Sequence, residues 1–123
     1  MKTLEQLTFN NTYTRLPDIF YNRVKTAPLS NQHLISFNPS AEGLIDLDIT
    51  ESTRADFIDL ISGRKSLPGC DPFAMCYAGH QFGQFVPSLG DGRAFMLGEL
   101  ETQNNGKLDL QIKGSGPTPY FRN

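Results

Sequence analysis

Residues 107–113, Lys-Leu-Asp-Leu-Gln-Ile-Lys, alternate apolar and polar side chains without a break. A period of two belongs to a strand with one buried face and one open face, and it forbids an amphipathic helix over the same residues. Leu108, Leu110 and Ile112 make the apolar side, and Asp109, Gln111 and Lys113 the polar side. The preceding Asn104-Asn105-Gly106 is a hairpin signal, so the strand has an antiparallel partner just before it. A two-residue Asn105-Gly106 turn sets Leu110 against Glu101 and Ile112 against Glu99. A three-residue loop with Gly106 left-handed sets Leu110 against Leu100 and Gln111 against Glu99. The second register matches apolar with apolar and polar with polar, and is the expected one. It places Lys113 opposite Leu97 and on the face of Phe95 and Arg93. Arg93 and Lys113 then stand about four residues, roughly 13 Å, apart along the hairpin.

Other elements are read from punctuation. Residues 1–33 are polar and loop-like, broken by Pro17 and Pro28, with one short helical turn in TRLPDIFYNRV. LISF (34–37) reads as a short strand ended by Asn38-Pro39, and LIDLD (44–48) as a second. A helix is expected over about 51–62, with Thr50 as N-cap, Glu51 in the first turn and Gly63 closing it. Its apolar stripe is Ala55, Ile58 and Ile61, widened by Phe57 and Leu60. Residues 65–73 are a linker, and the glycine- and aromatic-rich 74–92 form a strand, a flexible turn and a return. The expected fold class is α+β, an antiparallel hairpin-rich sheet with at least one helix. Two parts are expected: 1–73 with the helix and short strands, and 74–123 with the glycine turn and hairpin.

Composition limits what such a domain does. At 123 residues there is room for one small domain, and eleven glycines with eight prolines make much of it turn and loop. Eleven basic against thirteen acidic residues give a charge of −2, which lacks the basic excess of a nucleic-acid binder. The longest apolar runs are a few residues, too short to span a membrane, and the N-terminus has no signal-peptide core. Two cysteines, Cys70 and Cys76, fit free thiols in a reducing cytoplasm.

The chemistry-bearing residues gather late in the chain. In Gly90-Asp91-Gly92-Arg93 the glycines allow close backbone approach, and Arg93 and Lys113 are long cations able to grip two ends of a polyphosphate. Against this, lysine on an open strand face is a common guard against aggregation, and Gly-Asp-Gly is an ordinary turn. Neither G-x-x-x-x-G-K-[ST] nor G-x-G-x-x-G occurs. Cys70, Cys76 and His80 lack the fourth ligand and tight cysteine pair of structural zinc. No nucleophile motif accompanies His80 to make it a catalytic base. Phe82 and Phe85 are expected to pack a small sheet rather than to stack bases.

Three ordered blocks, YAGHQFGQF (77–85), LGDGRAFMLGE (89–99) and LDLQIKGSGPTPYFR (108–122), resemble the selenoprotein O family. The resemblance implies a kinase-like fold that transfers AMP from ATP, with Mg²⁺, to Ser, Thr or Tyr of protein substrates. It implies that Lys113 is the strand lysine pairing with nucleotide phosphates and with a helix glutamate, and that Gly90, Gly92 and Arg93 contact the nucleotide. It further implies that the chain is the N-terminal quarter of a longer enzyme. The helix glutamate, catalytic aspartate and metal ligands would lie beyond it, leaving no catalytic or metal-binding residue in these 123 and no turnover from them alone. Two positions depart from the family pattern: Ser88 stands where glutamine is usual, and Phe121 where the family has a small polar residue. The alternative is a non-catalytic protein-binding module, with the hairpin as scaffold and the glycine-aromatic stretch as contact surface, or a pseudokinase fragment.

Overall fold

The computed structural model describes residues 1–121. Six strands and two short helices follow one another as β1 (Thr8–Phe9), β2 (Tyr21–Arg23), α1 (Pro39–Leu44), α2 (Ala55–Ile61), β3 (Phe73–Gln81), β4 (Gln84–Gly90), β5 (Ala94–Glu101) and β6 (Lys107–Lys113). All pairings between these strands are antiparallel: β1 and β3 meet β5, β2 and β4 meet β3, and β6 runs the length of β5. The α+β class and the hairpin-rich sheet expected from the alternation are therefore present.

The β5–β6 register differs from the expected one. Leu100 faces Leu108 and Glu99 faces Asp109, so the pairing has slipped by two residues. A slip of two leaves Leu108 and Leu110 on their expected face, because strand parity is two; towards Lys113 the shift becomes three, and Lys113 does not share the face of Phe95 where it was expected. The loop is longer for a local reason. The Thr102 hydroxyl accepts from Asn105 N–H (3.0 Å) and donates to the Gly106 carbonyl (2.6 Å), while Gly106 sits at φ +67°. Gln103 N–H and the Asn105 amide also bind Asp46 and the Leu44 carbonyl, docking the loop on the segment after α1.

A bulge between Met96 and Gly98 then shifts the register once more, bringing Phe95 opposite Ile112 and Ala94 opposite Lys113. The bulge lets Phe95, Leu97 and Leu100 all enter one cluster, which uninterrupted alternation would forbid. Gly98 is required there, since a Cβ would lie 2.6 Å from both Asn11 Oδ1 and Phe9 Cδ1.

The principal core joins this face of β5 and β6 to Leu4, Leu7, Leu47, Leu60 and Leu67. Met96 points the other way, with Tyr21 and Phe73, and Tyr13 stacks on the Phe73 ring at 5.1 Å.

Several local expectations are corrected. LISF forms no strand; Asn38-Pro39 starts α1 instead of stopping a strand, with the Asn38 side chain accepting from Ser40 N–H (3.0 Å). Asparagine at N-cap and proline at the first helical position are a start signal. LIDLD is likewise no strand: Leu44 ends α1, and buried Leu47 makes a single bridge to Lys2. The helix expected from 51 begins at Ala55, because Arg54 is extended (φ −79°, ψ 143°). Before it lies a 3-10 turn, Ile49–Thr53, capped by Asp48 rather than Thr50 (2.9 Å to Thr50 N–H). The early helical turn becomes two 3-10 turns, Tyr13–Arg15 and Asp18–Phe20, feeding β2.

Candidate functional site

The GDGR turn joins β4 to β5 and is built from its own carboxylate outward. Asp91 is buried, its Oδ2 accepts from Met75 N–H (3.1 Å), and its own N–H donates to the Met75 carbonyl (3.1 Å). Both ends of the residue are thus tied to β3, which fixes where Gly92 and Arg93 stand.

Residues 118–121 close over the turn from the far side. Thr118 N–H donates to the Gly92 carbonyl (2.8 Å), the Thr118 hydroxyl donates to the Asp91 carbonyl, and Phe121 N–H returns to the Thr118 carbonyl (3.0 Å). Tyr120 lies against Gly90, where a Cβ would come within 2.6 Å of its ring and of the Met75 carbonyl. The Asn22 amide donates to the Tyr120 hydroxyl (2.6 Å). Burial pushes the Tyr120 phenol above its ordinary value, and the Asn22 contact opposes this.

The sequence reading missed this strap, although one signal for it was visible. Pro117 and Pro119 have no N–H, so Thr118 carries the single backbone donor of that triplet.

Gly90 and Gly92 differ. Neither has a positive φ. Gly90 is pinned between Tyr120 and Met75, whereas the nearest atom to a Cβ on Gly92 is 3.7 Å away. Gly90 is thus needed for packing inside the protein, and Gly92 leaves space at the surface of the turn.

Arg93 and Lys113 are closer in register than expected. Lys113 faces Ala94, not Leu97, and Gly114 N–H donates to the Arg93 carbonyl (3.0 Å). Arg93 is therefore one residue from the position opposite Lys113, not four. It precedes β5 in a bend, so strand alternation does not set its direction. Its guanidinium lies over the Phe121 ring, 4.4 Å from the centroid. Both cations are exposed, and among the described residues neither has a carboxylate partner within ion-pair distance.

The remaining candidates are not drawn into this site. The β3–β4 hairpin turns through Phe82 (φ +53°) and Gly83 (φ +77°), with Phe82 fully exposed and Phe85 61% exposed. These phenylalanines do not pack the sheet as expected, although Phe85 lies 5.4 Å from the His80 ring. Burial pushes the Cys70 thiol above its ordinary value. Among the described residues no three His, Cys, Asp or Glu side chains gather as a metal site. An apolar cleft of about 450 Å³ opens between α1, α2 and β6, with Lys113 among its lining residues but not Gly90, Gly92 or Arg93. Arg122 of the third sequence block lies outside the described residues.

Comparison with known proteins addresses the chain as a whole. A family model described as protein adenylyltransferase SelO matches residues 3–123. The chain is 53% identical over 122 residues to a protein nucleotidyltransferase YdiU of Myxococcus xanthus, 48% to that of Thiobacillus denitrificans and 50% to that of Photobacterium profundum. Each alignment covers 99% of this chain but 25%, 25% and 24% of the relative, so the chain spans about a quarter of their length. With the family model matched from residue 3 to residue 123, the chain belongs to the SelO family of protein adenylyltransferases.

Proposed function

We propose that this chain supplies the phosphate-binding edge of a cytoplasmic, kinase-like protein adenylyltransferase that moves AMP from ATP to Ser, Thr or Tyr of protein substrates. In that reaction an acceptor oxygen attacks the α-phosphorus, the bond to the bridging oxygen breaks, and pyrophosphate leaves. Lys113 and Arg93 offset charge on the phosphate oxygens, and Gly92 leaves room for them to approach. Phosphoryl-group chemistry depends chiefly on positioning and electrostatic stabilisation, which is work these residues suit.

One observation carries the reading. Two exposed cations stand at adjacent register positions beside an open glycine, and neither is neutralised by a carboxylate among the described residues. Among the described residues no three His, Cys, Asp or Glu side chains gather, and Asp91 Oδ2 accepts from Met75 N–H. The proposal assigns these residues phosphate binding.

The test uses the full-length protein with Mg²⁺ and ATP labelled on the α-phosphate. Label on protein that disappears in Lys113→Ala is expected. Label from γ-labelled ATP instead would make the protein an ordinary kinase. A binding-module reading draws on the exposed aromatic tip at Phe82 and Phe85, and gains if neither label transfers.

A further inference from the structure

We propose that Phe121 positions Arg93, holding the guanidinium by its face so that its N–H edge stays directed at an anion. This rests on the nucleotide reading above for the identity of the anion, a phosphate chain, but the stacking itself does not. The other described arginines all have hydrogen-bond acceptors within the protein. Arg15 donates to Asn10, Arg23 to Asp71, Arg54 to Glu5 and Asp56, and Arg64 to Gln32 and the Leu29 carbonyl. Arg23 also lies over a ring, 5.5 Å from the Tyr21 centroid, but it keeps its Asp71 partner; Arg93 has its guanidinium carbon 4.4 Å from the Phe121 centroid and, among the described residues, no carboxylate beside it. That is well inside the range at which a cation is attracted to an aromatic face.

A carboxylate partner would occupy the same in-plane N–H groups that a phosphate needs. A phenyl ring occupies only the face, so it restrains the side chain and leaves the fork of donors open. Phe121 can act in this way because its backbone is fixed to the turn it serves. Phe121 N–H is bound to the Thr118 carbonyl, and Thr118 is bound to Gly92 and Asp91. The neighbouring Tyr120 is seated on Gly90 and held by Asn22. Strap and turn form one unit, in which Arg93 is the side chain left to meet a ligand.

The role is one of positioning, and the test separates it from a structural one. In the full-length protein, Phe121→Leu is expected to raise KM for ATP about 2- to 5-fold, the scale of one exposed cation–π contact, with kcat changed less than about twofold. Phe121→Tyr should restore the wild-type KM. In an Arg93→Gln background, Phe121→Leu should have no further effect. The Arg93 Nε–H resonance should carry a ring-current shift that Phe121→Leu removes without any nucleotide present.

An unmoved resonance, or an equal KM effect in both backgrounds, overturns the proposal. Tripolyphosphate serves as a second probe. If it binds in a manner that depends on Phe121 and Arg93 while ATP does not bind, the positioning role stands and the nucleotide reading falls. If neither binds, both fall.

Discussion

Arg54 and Arg93 are the same side chain put to opposite uses. Arg54 sits at the start of α2 with Glu5 (2.7 Å), Glu51 and Asp56 (2.9 Å) around it, and Glu51 also accepts from Leu4 N–H (2.9 Å). The network ties the N-terminus to α2, raises the Arg54 guanidinium pKa further and holds Glu5 at about 2. Arg93 has a ring beneath it and, among the described residues, no carboxylate beside it. One end of the molecule spends its charges on itself, and the GDGR end leaves them available. A charge kept without an internal partner points to a ligand; a charge enclosed by partners points to the fold.

The contrast can be broken by substitution. The largest stability effect is expected at Arg54→Met, which leaves Glu51, whose side chain is only 9% exposed, with Leu4 N–H but no cation, and should show as the largest loss of stability of the set in chemical denaturation. Arg93→Met should cost less than about 0.5 kcal/mol in the same assay, as for a surface change outside any network. Comparable losses at the two sites would erase the distinction.

Glu99 sharpens the comparison from the carboxylate side. Burial alone would push it up, but the Thr12 hydroxyl, the Tyr13 and Thr12 N–H groups and Lys107 together hold it at about 2. Its folded pKa lies below the ordinary 4.5, so its contribution is fully present above pH about 4.5 and is lost as the pH falls towards 2. Glu99→Gln should cost about 1–3 kcal/mol at pH 7 and flatten the stability profile over that acid window, as read by denaturation at each pH.

The glycines give the next smaller effects. Gly90→Ala must displace both Tyr120 and the Met75 carbonyl and should cost about 1–3 kcal/mol. Gly92→Ala meets nothing closer than 3.7 Å and should change stability by less than about 0.5 kcal/mol while weakening ATP binding. The smallest effect is a gain: Phe82→Gly, at φ +53° and fully exposed, should stabilise by up to about 1 kcal/mol, seen as a raised Tm.

How much of this was legible in the sequence follows from the range of the interactions. The polar side of β6 was readable because alternation is local and survives a two-residue slip, but the bulge pairs Phe95 with Ile112 and so takes Lys113 off the face of Phe95 where it was expected. The register was not readable, because Thr102 and the docking of Asn105 on the Leu44 carbonyl set the loop, and the bulge between Met96 and Gly98 answers to the core. α1 was missed although its start signal is local, since Asn38-Pro39 serves equally as a stop. The GDGR residues were singled out as candidates by their types. Their strap was not, because Thr118, Tyr120 and Phe121 meet the turn across some 26 to 30 positions of chain, counted from Gly92 to Thr118 and from Gly90 to Tyr120.

The most direct measurement is calorimetric titration of ATP into the full-length protein, wild type beside Lys113→Ala and Arg93→Gln, with Tm recorded for each. Affinity lost by on the order of tenfold or more in both variants, at unchanged Tm, is the expected result for cations kept for a phosphate. Equal affinity in all three proteins would contradict it, and would make the two unpaired charges nothing more than solvated surface.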